Sequence, residues 1–308
     1  MRPRLADDGP LLTAALIAVG VLGVSLAAPI AAATAAPAIA VAFWRNAMAT
    51  VVGAPYTLAT RPAELVRGPG RSALRPSLLA GVALAVHFSL WIPSLRLTSV
   101  TAATALVCTT PVFTVAYDRL RGTHAPRAVV AGVGLSFVGV VVITGVDAGS
   151  GGTALLGDLM ALAGGAAAAA YMVAGAAARE SLSTASYTLV AYGVCAVLLG
   201  LACLAFGIPL GGYSTRTWVE LALLTLGAQL LGHTVLNRAL KTAGTTTVGL
   251  AILLEVPGAA LVAWAWLGQV PPLAIIPGAA LVVAGLAIVV RARATSRRAA
   301  GDAPLGAQ

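Results

Sequence analysis

Charge is what this sequence has least of. Only 9% of its 308 residues are Asp, Glu, Lys or Arg, and the one lysine is Lys241. A soluble domain keeps about a quarter of its residues charged to cover its surface. Ordinary soluble domains are therefore excluded. Leu240 precedes the lysine, so the chain has no Gly-Lys-Ser/Thr phosphate loop and no P-loop ATPase of its own. Cysteine is scarce too. Cys108, Cys195 and Cys203 each lie in an apolar stretch and form no disulfide framework, zinc spacing or redox pair. The net charge of +9 does not mark a nucleic-acid binder, because the basic residues sit in short tufts between apolar runs.

What is present is hydrocarbon: 59% of the residues are hydrophobic and the mean hydropathy is +0.94. A bilayer-crossing helix needs about 20 mostly apolar residues. Ten stretches fit, at 11–29, 37–59, 76–95, 99–117, 127–146, 156–177, 184–206, 217–238, 244–267 and 272–290. Short connections carry the helix breakers, among them Pro29 and Pro37, Arg61-Pro62, Gly68-Pro69-Gly70, Gly149 to Gly152, and Pro271-Pro272. With the N-terminus inside, sixteen of the nineteen basic residues fall on cytoplasmic segments, including Arg2, Arg61, Arg119, Arg179, Arg238 and Arg291. Arg96 and Arg216 fall outside, and Arg45 lies within a span. This alternation predicts a multi-pass protein of the cell membrane with both termini cytoplasmic. The first span is not read as a signal peptide, since Asp7-Asp8 precede an apolar run longer than a signal h-region. Beyond Val290 the chain turns basic and then polar, and 293–308 is expected to be a disordered cytoplasmic tail.

Two segments resemble each other. His87 matches His233, Pro111 matches Pro257 and Gly122 matches Gly268, with a one-residue slip needed to align Leu95-Arg96 with Leu240-Lys241. The units are residues 1–150 and 151–292, with five spans each. An odd number of spans turns the second copy upside down. The expected fold is an all-α polytopic membrane protein of ten helices in two inverted-topology repeats, an architecture of many secondary transporters.

Several segments carry a family resemblance. They are Phe43-Trp44-Arg45-Asn46-Ala47, then His87 to Ser99 leading to Thr110-Pro111-Val112-Phe113, Gly157-Asp158-Leu159, Gly232-His233-Thr234 with Asn237, and Glu255 with Gly258. In their order and spacing they resemble the EamA branch of the drug/metabolite transporter superfamily along nearly the whole chain. The resemblance implies ten helices and small-solute transport, in many members export. Val256 separates Glu255 from Pro257, where the family often has Glu directly before Pro.

An ionisable side chain near the bilayer centre costs at least ~2.5–3.5 kcal/mol, so it must face protein or water. Glu255 lies near the middle of the ninth span, where an acid can take and release a proton as access alternates. A structural acid bonded to a neighbouring helix is the plainer alternative. His87 and His233 occupy matched places in the third and eighth spans, with Asn237 one turn beyond His233. They either contact substrate and protons or only join helices. Arg45, roughly 10 Å into the second span, either attracts an anionic group such as a carboxylate or snorkels to the surface. Trp91, Thr109 and Thr110 are further candidate substrate contacts. Pro111 and Pro257 withhold an N–H near mid-span and are expected to kink their helices.

The leading functional reading is a secondary transporter that exports a small polar metabolite or drug-like solute by proton-coupled alternating access. Its partners are the solute, protons and the lipid bilayer, with no nucleic acid, no cofactor and no metal. The oligomeric state is left as monomer or homodimer. A lipid-handling or structural membrane protein is the alternative. An intramembrane enzyme ranks lower, because Phe88 and Thr234 follow the histidines, leaving no metal-binding His-Glu pair, and neither Asp147 nor Asp158 is deep.

Overall fold

A computed structural model describes residues 9–66, 69–122, 125–144, 152–270, 273 and 275–301. The expected basic start at Arg2 and Arg4, the pair Asp7-Asp8, Arg67-Gly68, Asp147, the Gly149 to Gly151 connection, Pro271-Pro272 and the tail beyond Gly301 lie outside the described residues. Among the described residues there is no strand. In the first half, α1 (Pro10–Val24) and α2 (Ala27–Ala33) share the first predicted stretch, followed by α3 (Ala38–Thr60), the short α4 (Pro62–Val66) and α5 (Pro69–Ser94). Then come α6 (Val100–Val107), α7 (Thr110–Leu120) and α8 (Arg127–Thr144). The second half has α9 (Gly152–Arg179), α10 (Thr184–Ala205) and α11 (Thr215–Leu223), which leads through a π-helical segment, Leu224–Thr234, into α12 (Val235–Ala243). It closes with α13 (Thr245–Ile252), α14 (Glu255–Leu267) and α15 (Ile275–Gly301).

Helical segments thus fall on every predicted stretch, and among the described residues seven helical spans, some of them made of two or three consecutive segments, are long and apolar enough to cross a membrane. The stretches Arg127–Val142 and Ile276–Ala292 are apolar but shorter. Helix α3 is long enough but less apolar, because Arg45 and Asn46 lie inside it. One expectation needs correcting. Helix α15 continues to Gly301, well past residue 293, where a disordered tail was expected. Its last turns are rich in Arg and Ala, both strong helix formers.

The helices pair by close approach of small residues, as lipid tails provide no hydrophobic drive for helix association. Helix α5 lies along α9 and α10, α3 along α10, and α8 along α15. Helix α1 lies against the π segment and α12. One such close contact is between α1 and the π segment. A Cβ on Gly23 would come within 2.6 Å of the Gly232 backbone nitrogen, and one on Gly232 within 2.9 Å of the Val24 nitrogen. The stripe Ala161, Gly165 and Ala169 does the same for α6, since a Cβ on Gly165 would meet the Val107 carbonyl at 2.8 Å. Two turns end alike in the two halves: Gly122 and Gly268 follow α7 and α14 with φ of +77° and +68°, a backbone that L side chains rarely adopt.

Both the fourth and ninth predicted stretches are broken midway. Cys108 and Thr109 interrupt the first between α6 and α7; Leu253 and Leu254 interrupt the second between α13 and α14. Pro111 and Pro257 follow each break by two or three residues, where an absent N–H leaves a carbonyl without its helical donor. In the first break the Thr110 hydroxyl donates to the Val107 carbonyl at 3.1 Å and so fills that role. Thr110 and Glu255 each open the second half-helix of their stretch.

The α1 contact can be tested by adding one carbon. Gly23→Ala is expected to destabilise the protein by about 1–3 kcal/mol through overpacking. Gly134→Ala, where nothing lies within 4 Å, should be neutral or stabilising by up to about 1 kcal/mol. Thermal unfolding of both in one detergent checks this, and equal shifts would contradict it.

Candidate functional site

The break in each half brings polar side chains to one place. A narrow central cavity, with about 50 Å³ for water-sized groups, is lined by His87, Trp91, Thr110, His233, Asn237 and Glu255. These come from α5, α7, the π segment, α12 and α14, so both halves contribute. Apolar side chains of α5, α6, α12 and α13, including Leu84, Val107, Leu236 and Ile252, complete the wall. Glu255 is 6% exposed, and the Cys108 thiol donates to its Oε2 at 3.9 Å. Its place at the first position of α14 also sets it against the positive end of the helix dipole.

His87 Nδ1 lies 3.0 Å from the Gly164 carbonyl. A carbonyl only accepts, so Nδ1 carries the proton and Nε2 is left as an acceptor. The ring stacks on Trp91 at 5.7 Å, while His233 meets the edge of Phe88 at 6.0 Å. Asn237 Nδ2 donates to the Tyr171 hydroxyl at 2.5 Å and to the Tyr192 hydroxyl at 3.4 Å. Thr234 donates to the Gln229 carbonyl, a five-residue step that the π segment makes possible, and so accepts from Tyr192 at 3.0 Å. This row of hydroxyls and amide forms a polar plate beneath the cavity.

Two of the candidates do not line the cavity. Thr109 is buried and donates to the Leu106 carbonyl at 2.7 Å, so its hydroxyl is engaged in the helix break. Arg45 is 0% exposed, which contradicts the snorkelling alternative. Its Nε donates to Gln229 Oε1 at 2.8 Å, and its guanidinium carbon sits 4.2 Å from the centre of the Phe88 ring. Gln229 in turn donates to Asn46 Oδ1 at 3.0 Å, and Asn46 to the Ala42 carbonyl. An arginine in mid-helix cannot snorkel when a neighbouring amide fixes it inward.

Tyr171, Tyr192 and Gln229 are not among the candidate substrate contacts read from the sequence, and nothing in it connects Cys108 to Glu255. A usable signal was available for Gln229. Only three amide side chains, Asn46, Gln229 and Asn237, occur in the apolar stretches, and amides in hydrocarbon seek each other.

Beneath the polar plate opens a wider vestibule of about 580 Å³, lined by Tyr56, Arg61, Arg179, Ser183, Arg238 and Lys241 among others. Basic residues expected on one side of the membrane are thus gathered round one mouth. Arg179 is buried and bonds through Nε to the Asn237 carbonyl at 3.4 Å and through Nη1 to the Leu182 carbonyl. At the rim, Glu64 pairs with Arg61 at 3.0 Å and accepts from the Ser183 backbone N–H at 2.9 Å. This contact ties the first half to the turn before α10.

A model of the EamA-like transporter family matches residues 10–145 and again residues 155–291. The chain belongs to the EamA-like transporter family. The double match makes it a two-repeat EamA protein, a multi-pass membrane transporter and not an enzyme. Among solved structures 27 chains match. One crystal structure aligns over 92% of this chain and 98% of its own, with a TM-score of 0.71 and 20% sequence identity, which establishes likeness of fold. Comparison with curated proteins finds no match. In this EamA protein the cavity draws on both family repeats.

Partial burial works against the Glu64 carboxylate, but hydrogen bonds from Ser183, Ser186 and Arg61 outweigh it and hold its pKa below the usual value. A depressed acid stabilises the fold above its unfolded pKa, near 4.3 for Glu, and that stabilisation is lost as pH falls through the folded value. The difference in unfolding temperature between wild type and Glu64→Gln should therefore be present at about pH 6 and shrink progressively as pH falls below about 4. A difference that grows on acidification would contradict the contact.

Proposed function

We propose that this chain is a secondary transporter that moves a small polar solute outward across the cell membrane by proton-coupled alternating access. Its ten spans form two inverted five-helix repeats with both termini cytoplasmic, so the basic vestibule opens to the cytoplasm. Glu255 is the proton carrier; His87, His233, Asn237, Trp91 and Thr110 are the substrate contacts, and Thr109, Pro111 and Pro257 shape the broken helices behind them. The observation that carries this reading is the central cavity, built from both repeats round a single acid.

The packing supports the inverted pairing. Exchange the halves, and the α5–α9 contact becomes the contact of α1 with α12 and the π segment, which the structure also contains. Under the same exchange the α3–α10 and α8–α15 pairs map onto themselves. Such pairing gives two bodies that can rock about one site. The tightness of the cavity supports alternation as well. Small-molecule sites usually hold about 300–1,000 Å³, so the walls must part to admit a metabolite. Charge supports a cytoplasmic entrance: Arg61, Arg179, Arg238 and Lys241, all expected on the side where positive loops collect, line the vestibule.

The test is purified protein in liposomes, with labelled amino acids, nucleosides and organic cations as solutes and an imposed pH gradient. Wild type should move at least one solute, with the gradient setting its direction. Glu255→Gln should lose gradient-driven movement, by at least about a hundredfold given how few groups can replace a mid-membrane acid, while keeping its unfolding temperature. Unchanged gradient-driven transport by the variant would remove Glu255 from the mechanism.

A further inference from the structure

Arg45 is a fixed positive charge in the interior with no counterion beside it. Among the described residues the ion pairs are Arg61–Glu64 and Arg216–Glu220. Of its five N–H groups only the one on Nε has a partner, Gln229. Both terminal nitrogens, Nη1 and Nη2, are buried and make no hydrogen bond. Buried donors left without acceptors are costly, and a buried unpaired charge more so. The surroundings hold the group rigidly all the same. The Asn46–Gln229 relay fixes one edge and the Phe88 ring covers one face, leaving the outer edge of the fork.

Arg45 is linked to the cavity through Phe88. Phe88 touches Arg45 and also the cavity-lining His87, at 4.6 Å, and His233. A second donor there also lacks an acceptor: the Trp91 indole N–H, buried in the cavity wall. Two donor groups in this part of the interior, the Arg45 fork and the Trp91 N–H, thus lack acceptors, and Arg45 brings a positive charge. A planar guanidinium with two parallel free N–H groups matches a carboxylate, and the aliphatic wall of Leu84, Val107, Leu236 and Ile252 matches an apolar body.

We propose that Arg45 is the anion anchor of the transport site, and that the solute is a small carboxylate with an apolar body. Its two oxygens take Nη1 and Nη2 of Arg45 when the walls part round Phe88, with the Trp91 N–H as an auxiliary donor. This assignment rests on the transporter reading and names its substrate class. It gives Arg45 a role separate from the proton role of Glu255. The charge of the solute is met by Arg45, and the acid is left free to titrate.

Matched probes test it at equilibrium without requiring transport. The full-length protein in detergent is titrated with isocaproate and L-leucine and, in parallel, with isocaproamide and L-leucinamide, which keep the body and lose the carboxylate. The unfolding temperature is followed, since a ligand of the folded state raises it by mass action. Wild type should be stabilised by the acids and not by the amides. Arg45→Lys, which keeps the charge but loses the fork, should weaken acid binding by at least about tenfold, and Arg45→Gln should abolish it. Should Arg45→Gln fail to fold, the acid–amide contrast on wild type and the lysine variant decide. The proposal is overturned if no acid stabilises wild type, if the amides stabilise it equally, or if Arg45→Lys binds the acids as wild type does. Liposome uptake keeps the two readings apart. Uptake of uncharged solutes without acid-specific binding sinks the anchor alone; acid-specific binding without any uptake sinks the carrier alone.

Discussion

The absence of water inside a bilayer is the constraint on which everything else in this molecule depends. A backbone carbonyl or N–H left open there has no solvent to turn to, so helices must run unbroken or their breaks must be filled by side chains. This chain breaks its helices where the two halves meet and fills the gaps from within. The Thr110 hydroxyl takes up the Val107 carbonyl, Thr109 takes up Leu106, and the Cys108 thiol reaches both the Ile252 carbonyl and Glu255. Irregular backbone is tolerated at that depth because it borders a protein-lined cavity, and the cavity exists because the backbone is irregular there.

The two repeats are alike in frame and different in chemistry. Each has a broken helix, a proline just beyond the break and a left-handed glycine at the following turn. Yet the residue opening the second half-helix is Thr110 in one and Glu255 in the other. Ala191 takes the place matching Arg45, and the counterpart of the π segment in the first half is an ordinary helix, α5. The frame suits two bodies moving against each other. The unlike residues give the cavity an acid on one wall and an arginine behind another. In a π segment each backbone donor reaches one residue further back; there the Thr234 hydroxyl takes the Gln229 carbonyl while the Gln229 side chain holds Arg45.

Much of this was legible in the sequence because the membrane writes in a coarse alphabet. Apolar length gave the helical stretches, breakers gave their ends, and the matched His87–His233 and Pro111–Pro257 pairs gave the repeat. The polar candidates were conspicuous for the same reason, since an acid or amide in hydrocarbon has few bland explanations. What stayed hidden was partnership across helices. Nothing local says that Gln229 will meet Arg45, 184 positions away, or that Cys108 will face Glu255. Helix-length judgments failed at α15, where helix-forming Ala and Arg carried the helix on after the apolar run ended. The π segment was invisible as well, because its residues read as ordinary apolar helix. Only packing of Gly23 onto Gly232 reveals how closely α1 approaches it.

The central claim is that one cavity beside Glu255 is reached from each side of the membrane in turn. Cys108 is a native reporter of that cavity, which it lines. With Cys195 and Cys203 replaced by serine, a small membrane-impermeant thiol reagent can be applied to one face of oriented membranes at a time. The account predicts that Cys108 reacts from either face, and that a solute occupying the cavity slows both reactions. Reaction confined to one face, whatever the pH gradient, would contradict it.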